Sequence, residues 1–248
     1  MLRATSHLKG TSIAATDGDI GSVDDVYFDD LTWTIRYLVV DTGTWLPGRQ
    51  VLISPRSVRS TPDADRIPVA LTQEQVKNSP SIDAEKPVER QYEEEYSQHY
   101  GYPYYWTGPY RWGTTPYPGE GPLSEARASS AMPPSGGNPS IRSVRNVTGY
   151  YIEAADGDIG HVEDFLVDDR EWAIRYMIVD TRNWWPGKKV IISPEWINRV
   201  SWPDSRVYVD MSKQGVKTAP EYDPDRPLER EYETRLFGHH KRRTYWDS

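Results

Sequence analysis

Several residue sets have types and spacing that could do chemistry. Asp17-Gly18-Asp19 and Asp156-Gly157-Asp158 place paired carboxylates around a glycine, as a calcium loop does. An EF-hand ladder needs further acidic positions and a closing bidentate Glu, and these do not follow. A tight hairpin turn accounts for both the Gly and the Asp residues. Asp24, Asp25, Asp29 and Asp30, with Glu163, Asp164, Asp168 and Asp169, could line an acidic face, although solvent positions on a strand explain them more simply. Asp41 and Asp180 follow apolar strands that also carry Arg36 and Arg175. A salt bridge or a turn cap is the preferred role there over acid–base catalysis. His99, His239 and His240 could ligate a metal, but no acidic or Cys ligands stand at a fixed spacing from them. Nothing has the pattern of a phosphate-cradling glycine loop or a nucleophile–base set. The sequence reading therefore assigns no catalytic, cofactor-binding or metal-binding residue, and expects no enzyme.

The positions that invite a binding role are aromatic. Trp45-Leu46-Pro47-Gly48 and Trp184-Trp185-Pro186-Gly187 put bulky apolar side chains in loops beside Pro-Gly. They suit either plugs over a barrel end or anchors for a partner. Tyr105-Trp106 and Tyr245-Trp246 form a second pair of sites and are expected to dock on equivalent surfaces. The candidate partner-binding set is thus Trp45, Leu46, Trp184, Trp185, Tyr105, Trp106, Tyr245 and Trp246.

These sites come in twos because the chain repeats itself. The run Asp17-Gly-Asp-Ile-Gly21, Trp33, Ile35-Arg36-Tyr37, Val40-Asp41-Thr42, Trp45 and Val51-Leu-Ile-Ser-Pro55 recurs 139 positions later, from Asp156 to Pro194. About half the aligned positions between 17 and 58 are identical, well beyond a shared strand pattern. Within one copy, short alternating runs read as strands: 11–16, then 20–28 after the Asp-Gly turn, then 33–42, 49–54, Val58 and 67–71. The 33–42 run is apolar on both faces and must be covered on both. Thr72-Gln73-Glu74-Gln75 has a capping-box pattern that opens a short helix. Lys86 to about His99 reads as a longer helix with Pro87 in its first turn. Its stripe of Val88, Tyr92 and Tyr96 is a natural cover for an outer sheet face. In the second copy Asp223 to Tyr232 matches Asp83 to Tyr92, now offset by 140, and Leu236 replaces Tyr96.

Composition sets broad bounds. The 248 residues include no cysteine, which excludes disulfides and thiolate chemistry and fits a reducing compartment. The net charge of -8, with signs interspersed, argues against a general nucleic-acid binder. No signal-peptide pattern opens the chain and no apolar run approaches a membrane span, so a cytoplasmic location is expected. There are 17 Tyr and 10 Trp but 3 Phe, a bias toward half-buried seams and interfaces. Residues 98–140 divide into a Pro/Gly/aromatic half and a Ser/Ala/Pro/Gly-rich half that reads as linker.

The pattern Asp-Gly-x-Ile-Gly-x-Val, an acidic turn, Trp-x-Ile-Arg-Tyr-x-Val-Val-Asp and Val-x-Ile-Ser-Pro resembles the PRC-barrel family over roughly residues 5–75 and 144–213. That family includes the barrel of the photosynthetic reaction-centre H subunit, that of the ribosome maturation factor RimM, and many small bacterial proteins. The resemblance implies two tandem small antiparallel β-barrels, each followed by short α-helices and joined by the aromatic linker. The expected domains are 1–97, a linker 98–140, and 141–248. It also implies a docking or adaptor role, for which a protein partner is expected; the duplicated faces and loops allow intramolecular barrel pairing or a homodimer. The alternatives are a stress-related small-ligand or metal-binding module, a photosynthesis- or electron-transport-associated factor, or an RNA- or ribosome-associated one. The acidic balance weighs against the last.

Overall fold

In the computed structural model the described residues are 1–59, 65–82, 88–119, 141–181 and 188–247. The chain is mainly β and divides into two compact units. One holds Met1, residues 3–145 and 168–173; the other holds Leu2, residues 146–167 and 174–248. The first unit contains β1 (Leu2–Ala4) from Arg3 on, β2 (Ser12–Ala14), β3 (Asp19–Asp29), β4 (Thr34–Asp41), β5 (Gln50–Ile53), β6 (Arg66–Pro68), α1 (Gln73–Lys77), α2 (Arg90–Tyr100) and β7 (Ile141–Ser143). β3 pairs antiparallel with β2, β4 and β7, and β4 with β5. β2 pairs with β6 in parallel, so the sheet is mixed, though mostly antiparallel. The chain reverses from β2 to β3, from β3 to β4 and from β4 to β5, and β6 returns in the direction of β2.

The second unit repeats this order. After α3 (Val144–Val147), which spans the division between the units, come β8 (Tyr151–Ala154), β9 (Gly157–Asp168), β10 (Ala173–Asp180), β11 (Lys189–Ile192), β12 (Ile197–Ser201), β13 (Arg206–Val209), α4 (Lys213–Thr218) and α5 (Arg230–His239). β8 pairs antiparallel with β9 and parallel with β13; β10 pairs antiparallel with β11.

Alternation sets the two faces of β4. Leu38 and Val40 lie on one face, with Ile53 and Val51 of β5 opposite them. Tyr37 and Val39 lie on the other, where they cluster with Leu52, Tyr27, Ile141 and Tyr96 of α2. The outer face is therefore covered by the repeat's own helix. Tyr96 fixes that cover with its hydroxyl, which accepts from Ser54 N at 2.9 Å and donates to Leu52 O at 3.2 Å. In the second unit the same helix position is Leu236, and Phe237 packs edge-on against Trp196.

Three local expectations change. Trp33 is not a strand residue: it sits at φ 54°, donates its N–H to Asp29 O, and stacks on Phe28. Trp172 takes the same left-handed conformation at φ 55°. A bulky residue there is held only because its turn and its stacking over-determine it. The longer helix begins at Arg90 rather than Lys86, with Glu89 extended before it, and Pro87 lies outside the described residues. Residues 141–145 belong to the first unit, because β7 lies along β3. The capping box at Thr72 forms as its pattern suggests, with Thr72 and Gln75 bonded reciprocally.

The second glycine of the Asp-Gly-x-Ile-Gly motif has a steric reason. At Gly21 (φ 154°) a Cβ would stand 2.0 Å from Asp41 O, and at Gly160 (φ 139°) it would stand 2.1 Å from Asp180 O. Both contacts are to backbone that cannot swing away. Gly21→Ala or Gly160→Ala should each cost on the order of 3 kcal/mol. Urea unfolding followed by circular dichroism measures this, and a loss under about 0.5 kcal/mol would disprove the close approach.

Candidate functional site

The carboxylates that invited chemistry are engaged in building the fold. Asp17 accepts from Gln73 N at 2.8 Å and Asp156 from Lys213 N at 2.7 Å, so the Asp-Gly turn holds the first residue of the short helix that follows β6 or β13. Asp19 pairs with Arg66, and Asp158 with Arg206. Asp24 binds Gln50 and Arg145, and Asp25 accepts from Ser143 Oγ at 2.5 Å. Asp41 accepts from Gly43 N at 2.9 Å and caps its own loop. Arg36 pairs instead with buried Asp29, Nη2 to Oδ2 at 2.9 Å. Burial alone would raise the Asp29 pKa. The Arg36 charge and hydrogen bonds from Arg36, Leu31 and Thr32 outweigh it and hold the carboxyl below its ordinary range. His99 and His239 each set Nε2 against a carbonyl, Gln75 O at 2.8 Å and Gly215 O at 2.9 Å, which requires that nitrogen to carry the proton. Among the described residues no three metal-ligating side chains converge.

One constellation appears twice, and its centre is a carboxylate that sequence reasoning passed over. Glu93 lies one turn before Tyr96 on the inner face of α2 and is fully buried. It accepts from Tyr37 Oη at 3.1 Å, from Tyr105 Oη at 2.8 Å and from Arg90 Nη1 at 3.0 Å. Arg36 lies flat on the Tyr105 ring, 3.6 Å from its centroid, and Arg90 lies 3.8 Å over Trp106. In the second unit Glu233 accepts from Tyr176 at 2.7 Å and Tyr245 at 2.9 Å, and pairs with Arg230 at 3.0 Å. Arg175 covers Tyr245 at 4.2 Å, and Arg230 covers Trp246 at 4.0 Å. Each Tyr-Trp dipeptide is thus clasped between a strand arginine and a helix arginine, with its phenol on the helix carboxylate. Such cation–π contacts strengthen as water is excluded. The signal in the sequence was the identity of Arg90/Arg230 and Glu93/Glu233 beyond the barrel motif, in the helix that carries the apolar cover.

These four aromatic candidates are half-buried and turned toward their own helix and strand, with ring faces and hydroxyls already occupied. The arm beyond Tyr105-Trp106 continues onto the first unit. Trp112 is buried there, with its carbonyl accepting from Arg56 at 2.5 Å; the Arg111 carbonyl accepts from Arg36 at 2.6 Å.

The loop candidates differ. Residues 42–49 form a tied loop. Thr42 Oγ1 lies 2.7 Å from both Leu46 O and Arg49 O and shares its one proton between them, and Trp45 N donates to Thr42 O at 3.1 Å. Gly43 (φ 55°) and Gly48 (φ 75°) take the left-handed turns. Trp45 and Leu46 are half-buried on this fixed frame, to the same degree as the two Tyr-Trp dipeptides. Trp184 and Trp185 lie outside the described residues, but the equivalent tie, Thr181 Oγ1 to Lys188 O at 2.6 Å, is present.

Burial raises the Glu93 pKa to about 7 against the lowering effects of Arg90, Tyr105 and Tyr37. With the folded value above the unfolded one, the folded chain holds the proton longer. Stability from this group is full below about pH 4.5 and is lost as pH rises through about 7. The difference in unfolding free energy between wild type and Glu93→Gln should fall over that window, by at most about 1.4 kcal/mol per pH unit. A flat difference from pH 5 to 8 would contradict the shift. Tyr105→Phe and Tyr245→Phe remove one bond to the buried carboxylate. Each should lower stability by about 1–3 kcal/mol, read by thermal unfolding at pH 8.

Comparison with known proteins places the first repeat. Residues 3–76 match the model of the PRC-barrel domain. An uncharacterized protein of Deinococcus radiodurans is 39% identical over 85 residues, which is 34% of this chain and 30% of that protein. The chain thus matches less than a third of that relative's length.

Proposed function

We propose, with residues 3–76 matching the PRC-barrel domain, that this chain is a non-catalytic docking module that binds a protein partner through its tied aromatic loops. The observation that carries this reading is the 42–49 loop. An exposed aromatic on a mobile loop loses conformational freedom when it binds. Trp45 and Leu46 stand on a frame already fixed by Thr42, Gly43 and Gly48, so that cost is small. A rigid Trp beside an aliphatic side chain has the character of an interface anchor. The side chains that could have served catalysis have structural partners: Asp17 and Asp156 hold helix starts, Asp29 neutralises Arg36, and Glu93 and Glu233 gather phenols. Trp184 and Trp185 extend the proposal to the second repeat through the matching sequence and the Thr181 tie.

The test is affinity capture from the native host, with the recovered partner purified and its affinity remeasured. Trp45→Ala with Leu46→Ala should weaken binding at least about tenfold while moving the melting temperature by less than about 2 °C. An unchanged affinity would remove the loop from the interface. A hydrolytic or redox activity that survives in Trp45→Ala would favour an enzyme instead.

A further inference from the structure

The two clasps use the same four readers, yet they are entered by different hinges. In the first unit α2 ends in a Schellman-type turn: Tyr102 N donates to Ser97 O at 2.8 Å, and the residue between helix and arm is Gly101 at φ 70°. In the second unit the same turn forms, Arg242 N donating to Phe237 O at 3.0 Å. The residue at its centre is now Lys241, at φ 53°. A lysine in the left-handed region is strained, where glycine is not. The second clasp is also the more open to water. The side chain of Arg230 is 58% exposed, against 17% for Arg90. The first clasp is followed by the anchored Arg111-Trp112, and the second is preceded by Arg242, which pairs with Asp210 at 2.5 Å.

We propose that the Tyr245-Trp246 segment is a releasable strap, and that the site it leaves, formed by Arg175, Tyr176, Arg230 and Glu233, takes the Tyr245-Trp246 segment of a second copy of this chain. The occupant follows from the readers. The contacts that hold the dipeptide include a phenol on Glu233, two ring faces under guanidinium groups and ring packing on Tyr176 and Phe237, and these re-form when the dipeptide comes from a neighbour. Reciprocal exchange therefore conserves the clasp energy. It also lets Lys241 leave the left-handed region in both copies, which favours the exchanged pair as concentration rises. The interface is isologous: each chain gives a strap and receives one. This inference is independent of the Trp45 loop and stands or falls without it.

The experiment is sedimentation equilibrium of the full chain across a hundredfold concentration range. The wild type should show a reversible monomer–dimer equilibrium. Lys241→Gly relaxes the hinge without removing a clasp contact and should weaken the dimer roughly tenfold or more. Tyr245→Ala with Trp246→Ala should abolish it. A wild type monomeric throughout, or a dimer of unchanged strength in Lys241→Gly, would overturn the proposal. Should the double alanine variant fail to fold, Lys241→Gly decides alone. A synthetic peptide of residues 242–247 provides a second reading: in excess it should dissociate the wild-type dimer, and a dimer indifferent to it would count against exchange.

Discussion

A carboxylate buried in an apolar seam must be surrounded by donors, or the fold that buries it is unstable. Glu93 meets this constraint with two phenols and an arginine, and those donors come from three separate parts of the chain. Tyr37 belongs to the central strand β4, Arg90 to the helix itself, and Tyr105 to the arm beyond it. The need to satisfy one buried charge thus fixes where α2 lies on the sheet and where the arm returns. Glu233 imposes the same arrangement on Tyr176, Arg230 and Tyr245. Much else in each unit is consistent with this seat. Tyr96 ties the helix to β5 through Leu52 and Ser54, and the Arg36 guanidinium lies between Asp29 and the Tyr105 ring.

The same constraint explains why a chain rich in Tyr and Trp is poor in Phe. The seam between helix and sheet carries buried charge, and a phenol can both pack and donate. Where the second unit has Leu236 and Phe237 in place of Tyr96 and Ser97, Trp196 fills the space and the packing becomes drier. The duplicated units therefore differ in filling but not in their ionic centre. A docking role sits easily on such a scaffold: the fold is held from within, and the 42–49 loop is free to present Trp45 and Leu46 on a frame that does not depend on a partner.

The titration of Glu93 couples this centre to pH in the neutral range. In the first unit helix and arm share one buried carboxylate, so their contacts to it are coupled. Loss of the phenol, the arginine or the proton acts on the same junction. Gly21 and Gly160 mark a second kind of constraint, purely steric, where one strand passes another too closely for any side chain.

The repeat, the mainly β class, the short strands, the helix opened by Thr72 and the apolar stripe through Tyr92 and Tyr96 were all legible in the sequence. They rest on periodicity and turn chemistry, which act over a few residues. The docking of Tyr105-Trp106 and Tyr245-Trp246 on equivalent surfaces was legible from their matched offset. What the dipeptides dock on was not. Glu93 and Glu233 were not singled out, because nothing local distinguishes a buried acid from an exposed one. The same holds for Asp29, which the sequence leaves among surface carboxylates and the structure pairs with Arg36. Trp33 looked like the first residue of a strand, since its left-handed turn depends on Asp29 and Phe28 brought beside it. Patterning and local propensity were settled by the sequence alone. The partners of each buried charge were decided only by the tertiary structure, because strand, helix and arm must first be brought together and the energy that selects the partners exists only once water has been excluded.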